Sequence, residues 1–134
     1  MSHWTMKYLG HPWTPEQNCY YWFRKIMVDE FGHDGLPPNV EVSEQGSARL
    51  AMRELTDEAV ARHGWTPTET PREGDAVMLA EGKRASHIGV VVYLQEKLFV
   101  AHAQKGAGVV LSGVLGLKMN NLKITGYWTY ENIL

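Results

Sequence analysis

The chain has 134 residues, 44% of them hydrophobic, which fits one domain built around a single core. Thirteen basic and fifteen acidic residues give a net charge of -2, so the chain lacks the positive field that nucleic acid binding requires. The apolar runs are far shorter than the roughly 20 residues that span a bilayer, and the N-terminus lacks the apolar stretch of a signal peptide. We therefore expect one domain over residues 1-134, synthesised in the cytoplasm, with neither nucleic acid nor membrane as a partner.

The first predicted element is a helix from Cys19 to Phe31. Two helix-start signals compete before it: residues 14–17 resemble a capping box, and Asn18 is a good N-cap directly before Cys19. We favour Asn18, because apolar residues then follow at helical spacing and Gly32 is a suitable stop. The Cys19 thiol is thereby expected in the first helical turn.

Three further segments separate this helix from the strands. Pro37 and Pro38 exclude a helix from Gly35 to Val42, which we predict to be a loop. A second helix is predicted from Ser47 to Arg62, where small and apolar residues share one face. The stretch from Trp65 to Glu73 contains two prolines and three threonines, so we expect an extended linker there.

Short, branched apolar runs follow Gly74 and predict an antiparallel meander. Helices first and strands afterwards indicate an α+β fold, with N-terminal helices packed on an antiparallel sheet of about five strands. The predicted strands are Ala76–Leu79, Ile88–Leu94, Leu98–Ala101, Val109–Leu111 and a last one around Ile124–Tyr130.

Cys19 is the one cysteine of the chain, which excludes an internal disulfide and a four-thiolate zinc site. A lone cysteine is more often a buried small hydrophobe than a nucleophile. The position of Cys19 at a helix N-terminus favours a nucleophilic role, because the helix dipole and a nearby imidazolium lower the pKa of a thiol. The sequence therefore predicts a reactive thiol with a lowered pKa, provided that a histidine lies close to it.

Two of the six histidines are candidates for that partner. His87 opens the strongest predicted strand, and Gly89 after it leaves room for a helix end to approach. His102 ends the following strand, and a short turn at residues 95–97 brings both histidines to the same end of the sheet. We predict that His87 is the base and that His102 orients it.

The other histidines have milder interpretations. His3 lies in the N-terminal segment, and His33 and His63 follow helix ends, so we interpret all three as structural or neutral. His11 precedes Cys19 and either lines a cleft or is neutral. No pair of histidines lies on one helix face, so we expect neither a metal nor another cofactor.

The order of these residues resembles the NlpC family of papain-like cysteine peptidases, which cleave peptide bonds in bacterial murein. The resemblance covers nearly the whole chain and is nearest to the phage-tail branch of the family. The segments that carry it are Tyr8–Trp13 with Asn18-Cys19, Pro71–Leu79, Ser86–Val90 and Val100–Ala103, and for the phage-tail branch also Phe31-Gly32 to Leu36-Pro37 and Ile124–Trp128.

This resemblance implies a papain-like NlpC fold in which Cys19, His87 and His102 meet in a cleft. It also implies that the Cys19 N–H belongs to an oxyanion hole, where donors face the developing charge. The residues implied to contact the substrate or the oxyanion are Tyr8, Trp13, Asn18, Tyr20 and Ser86.

The sequence departs from the family pattern beside the nucleophile. Asn18 stands where Asp is common, and Tyr20-Tyr21 replaces the usual Ser-Gly or Trp-Gly. Bulky Tyr20 is expected to narrow the cleft or to reshape substrate preference. The aromatic residue that lines the family's site is matched here by either Tyr8 or Trp13.

The expected function is hydrolysis of amide bonds in peptidoglycan stem peptides, with Cys19 attacking, His87 moving the proton and His102 holding the base. A phage or prophage tail protein of this kind would open the cell wall, with other tail proteins as its partners and the virion tail as its location. Two alternatives stay open: a catalytically weak or inactive structural or wall-binding tail protein, and an amidase or acyltransferase with the same triad.

Overall fold

A computed structural model of the chain describes residues 3–33, 64–81 and 84–130. These residues form an α+β arrangement of a short 3₁₀ helix at Trp4–Lys7, two α-helices and six strands. The predicted loop at Gly35–Val42 and the predicted helix at Ser47–Arg62 lie outside the described residues. The elements are α1 (Cys19–Phe31), β1 (Trp65–Thr68), β2 (Ala76–Glu81), β3 (Arg84–Leu94), β4 (Lys97–Gln104), β5 (Gly108–Gly113), α2 (Val114–Met119) and β6 (Leu122–Tyr130).

Helix α1 begins and ends where the local sequence predicts. The Asn18 side chain accepts a hydrogen bond from the Tyr21 N–H, which satisfies one of the free donors of the first turn. Gly32 ends the helix in the left-handed conformation, with φ of 69°. The competing signal at Thr14 caps a separate turn, since the Gln17 N–H donates to its Oγ1 at 2.9 Å.

The six strands form one sheet in the order β1-β6-β2-β3-β4-β5, and all of its pairs are antiparallel. Strands β2 to β5 follow one another as the predicted meander. The β3–β4 turn contains only Gln95 and Glu96, both with positive φ, because Leu94 already pairs with Lys97. Strand β6, the predicted last strand, returns to the other side of β2, and β1 pairs with its outer edge, so the sheet has one strand more than expected.

The predicted linker after residue 64 and several predicted strand boundaries are wrong. Trp65–Thr68, expected to belong to a linker, is edge strand β1, where Pro67 is tolerated because one side of its backbone faces no partner strand. Helix α2 was not predicted. Strands β3 and β4 are longer than expected, so His87 and His102 lie within strands and not at their ends.

Helix α1 packs against β3 and β4, so the sheet has a covered face and an opposite face. We call the α1 side the helix face; its buried residues in the sheet include Ile88, Val90, Ala101, Ala103 and Val109. On the opposite face a second buried cluster consists of Val77, Leu79, Val91, Val100 and, from α2, Leu117.

Gly89 is required for the close approach of β3 and β4. A Cβ at this position would lie 2.5 Å from Val100 Cγ1, 2.8 Å from the Ala101 carbonyl oxygen and 3.1 Å from His102 Cβ. The space beside Gly89 is therefore filled by β4, and the expectation that it admits a helix end is wrong.

Substitution Gly89→Ala is expected to destabilise the fold by about 1–3 kcal/mol, because the added methyl overlaps backbone and packed side chains of β4. Urea unfolding measures this loss. The matched control is Gly116→Ala in α2, where the added Cβ meets only Ser112 Cβ at 3.8 Å and helix propensity improves by up to about 1 kcal/mol. Equal stabilities of the two variants would contradict the packing described here.

Candidate active site

The first turn of α1 is fixed by Asn18, which is 1% exposed. Its Oδ1 accepts from the Tyr21 N–H at 3.0 Å, and its Nδ2 donates to the Pro15 carbonyl at 3.2 Å. A carboxylate could make only the first of these bonds, which gives a physical reason for Asn in place of Asp. Both ends of the amide therefore hold the helix start and fix the position of Cys19, which follows it directly.

The Cys19 thiol is buried, with the residue 3% exposed. Burial raises the pKa of the thiol to about 11, although the backbone N–H groups of Ile88, Tyr20 and Cys19 itself donate toward the sulfur and lower it. The expectation of a lowered thiol pKa is therefore wrong for this conformation. Two of the three donors are the free N–H groups of the helix start, so the first turn does face the sulfur as predicted.

The Cys19 sulfur lies near the end of the paired register of β3 and β4, a point that we call the opening. The paired register of these strands ends at Val90 and Ala101, whereas each strand runs on beyond that pair. The Val91 N–H donates to the Asp75 carbonyl on the β2 side, so the alternation of a strand directs the Ile88 N–H toward β4. The Ile88 N–H, which is directed toward β4 but lies beyond the paired register, thus has the Cys19 sulfur as its acceptor. Ile88 directly follows His87 in the chain.

His87 and His102 are in direct contact. His87 Nε2 lies 2.7 Å from His102 Nδ1, and the two rings are nearly perpendicular, with centroids 4.8 Å apart. Burial lowers the pKa of both imidazoles well below 6.5, and the neighbouring His102 lowers that of His87 further. At pH 7 both rings are therefore neutral, and one proton is shared in the contact between them.

The sequence analysis missed Ser112, whose Oγ lies 2.9 Å from His102 Nε2. Ser112 follows Val110 by two residues in β5, and Val110 is the register partner of His102. Residues two apart in a strand share a face, so a polar residue at 112 was predictable as a neighbour of His102 once the β4–β5 register was known.

The thiol and the imidazole pair approach the opening from different faces of the sheet. Cys19 belongs to the cluster on the helix face. His87 is the register partner of Leu79, and His102 alternates with Ala101 and Ala103, which puts both histidines on the opposite face. The two histidines are therefore brought together as predicted, and the sulfur meets the backbone next to His87.

The side chains of Tyr8 and Tyr20 are both buried, and each has a partner in the core or on α1. The Tyr8 hydroxyl donates to Glu30, which is eleven positions after Cys19 in α1 and hence about 17 Å along the helix axis. Tyr20 is 2% exposed and stacks on Phe23 in the core, so its ring does not narrow a cleft. The part of Tyr20 that reaches the site is its backbone N–H.

Trp13 is the remaining aromatic candidate. It is partly buried against the helix-face core, and the Lys105 ammonium lies 5.7 Å from its ring centroid. The loop before it is tied to β5, because the Val109 N–H donates to the His11 carbonyl at 2.8 Å. Of Ser86 only the backbone, in β3, is described, so the prediction for its side chain lies outside what the structure describes.

The histidines outside the predicted triad have partners close to them in the structure. His11 Nε2 lies 3.1 Å from the Lys7 carbonyl, and its ring is tilted against Trp22 with centroids 5.0 Å apart. His33 stacks on Tyr130 with centroids 4.0 Å apart. His11 thus packs against Trp22, three residues after Cys19 in α1, whereas His33 contacts β6, and His63 lies outside the described residues.

Among the described residues, no three His, Cys, Asp or Glu side chains are grouped so that they could hold a metal ion. Within the same ranges, the helices are too short to cross a membrane. No family model matches the sequence, and a comparison with curated proteins finds no match.

The raised thiol pKa predicts how stability depends on pH. The folded thiol, with a pKa of about 11, holds its proton where an unfolded thiol, with a pKa of about 8.5, loses it. Its contribution to stability is therefore complete below about pH 8.5 and is lost as pH rises toward 11, by about 1.4 kcal/mol per pH unit. Urea unfolding of the wild type and of Cys19→Ala at pH 7 to 10.5 isolates this term, because the chain has one cysteine.

The wild type is expected to lose stability relative to Cys19→Ala as the pH rises through this window. A wild type that gains relative stability would instead indicate a thiol with a lowered pKa in the folded chain.

Proposed function

We propose that the chain is a cysteine peptidase that hydrolyses amide bonds of bacterial peptidoglycan stem peptides. The observation that carries the proposal is a thiol at a capped helix start that packs against β3 at Ile88, the residue that follows His87, together with the hydrogen-bonded pair of His87 and His102 on the same stretch of β3 and β4. A structural core does not require two imidazoles in contact at an opening of the sheet. The NlpC-type fold, the murein substrate and the phage-tail setting rest on the resemblance of the sequence motifs.

The neutral resting groups favour general-base catalysis over a preformed thiolate. As the sulfur attacks the substrate carbonyl, the Cys19 S–H proton passes to His87 Nδ1, the nitrogen that does not contact His102. Because the two side chains lie on different faces of the sheet, this transfer requires the imidazole to reach the sulfur past the end of the β3–β4 ladder. The N–H groups of Cys19 and Tyr20, already directed at the sulfur, are donors for the oxyanion. His87 then protonates the leaving amine, and water assisted by the same imidazole hydrolyses the thioester and restores the thiol.

One observation favours a second candidate, a structural or wall-binding tail protein without turnover. The Cys19 thiol is covered and its pKa is raised, as for an inert core cysteine. The Tyr20-Tyr21 departure supports this candidate less than expected, because the Tyr20 ring lies in the core, whereas a Tyr8 hydroxyl bonded to Glu30 fits a site that lacks the family's aromatic hydroxyl. An amidase or acyltransferase with the same three residues differs from the main proposal only in the bond that it attacks.

Digestion of purified peptidoglycan, followed by mass spectrometry of the released muropeptides, tests the proposal and identifies the bond cut. We expect the wild type to release stem-peptide fragments, and Cys19→Ala and His87→Ala to reduce their rate of release by about 10³-fold or more. His3→Ala is the matched control, because it removes an imidazole whose partners are Thr5 and Glu73, away from the site, and it is expected to keep activity.

Full activity of Cys19→Ala would exclude this cysteine as the nucleophile. Binding of the wild type to insoluble peptidoglycan without release of fragments would support the structural candidate, and release of peptides detached from the sugar chain would support an amidase.

A further inference from the structure

A chain of hydrogen bonds leads away from His87 and ends at a residue that the triad does not include. His87 Nε2 contacts His102 Nδ1 at 2.7 Å, and His102 Nε2 contacts Ser112 Oγ at 2.9 Å. We propose that Ser112 is a positioning residue whose hydroxyl oxygen accepts the Nε2 proton of His102 and so keeps the His102 Nδ1 lone pair available to His87. This inference rests on the proposed function of His87 as the base.

The positions of the protons on the two neutral imidazoles explain why His87, as the base, needs Ser112 behind His102. A neutral imidazole has one N–H, so either His87 donates to His102 or His102 donates to His87 across their contact. To accept the thiol proton at Nδ1, His87 must hold its own proton at Nε2 and donate it to His102. His102 then accepts at Nδ1, and its single proton must be at Nε2, facing Ser112.

When His87 is charged, His102 must accept a hydrogen bond at Nδ1 and hold its own proton at Nε2. An imidazolium carries protons on both nitrogens, so His102 can face it only as an acceptor at Nδ1. The Nε2–H of His102 then needs an acceptor, and His102 is 2% exposed, which keeps bulk water away from it. A buried N–H without a partner is costly, so the Ser112 oxygen stabilises the charged intermediate through His102.

The strand register explains how Ser112 comes to this position. His102 pairs with Val110, and Val100 pairs with Ser112, so Ser112 lies diagonally from His102 on the same face of the sheet. Gly116 of α2 lies over Ser112, where an added Cβ would be 3.8 Å from Ser112 Cβ. The hydroxyl is thus held by a paired strand and is not carried on a loose loop.

The test combines imidazole ¹⁵N NMR of the full chain at pH 7 with muropeptide kinetics. We expect the wild type to show His87 and His102 both protonated at Nε2. In Ser112→Ala the His102 proton should move toward Nδ1, and kcat should fall about 10-fold with little change in KM. Ser112→Thr, which keeps a hydroxyl, should resemble the wild type.

Thr125→Ala is the matched control, because it removes a hydroxyl that donates to the Met78 carbonyl elsewhere in the sheet. Its tautomers and kcat should equal those of the wild type. A wild-type His102 protonated at Nδ1, or tautomers and kcat unchanged in Ser112→Ala, would overturn the inference. A wild type that releases no muropeptides would count against the proposed function, whereas the NMR result would still decide the role of Ser112 in placing the proton.

Discussion

The packing of the first turn of α1, with Cys19, against β3 at Ile88 is the constraint on which the site depends. It exists because α1 starts at one point, fixed by the Asn18 cap, and because β3 and β4 stop pairing at Val90 and Ala101. A helix start shifted by one residue would rotate the thiol by about 100° around the helix axis and remove it from the opening. The Asn18 cap and the β3–β4 register, which are far apart in the sequence, therefore together fix the position of the Cys19 sulfur.

The histidine pair depends on the same opening from the other side. Gly89 allows β4 to approach closely enough for His102 to reach His87, and β5 places Ser112 behind His102. Burial keeps these imidazoles neutral and keeps the thiol protonated, so the resting site carries little charge. The same burial that limits reactivity at rest would strengthen each hydrogen bond when charge develops during a reaction.

Local signals were sufficient to predict part of this structure. Asn18 and Gly32 gave both ends of α1, because caps act through side chains and backbone conformations within one turn. The short turn at residues 95–97 predicted that His87 and His102 would lie near each other. Both predictions depended on residues that are neighbours in the sequence or are joined by one hairpin.

Features that depend on distant partners were not predictable in this way. The strand at Trp65–Thr68 forms because β6 is available to pair with it, and its proline and threonines alone favour a linker. The direction of the Cys19 pKa shift follows from how completely the sheet covers the thiol, which no motif encodes. Ser112 becomes a neighbour of His102 only through the β4–β5 register.

The central claim is that Cys19, buried and neutral at rest, becomes covalently acylated with His87 as its base. Intact mass spectrometry of the wild-type chain, acid-quenched during turnover of a murein stem peptide, measures this directly. The account predicts an acyl adduct that peptide mapping places on Cys19 and that does not form in His87→Ala. Stem-peptide cleavage without an adduct, or with the adduct on another residue, would contradict it.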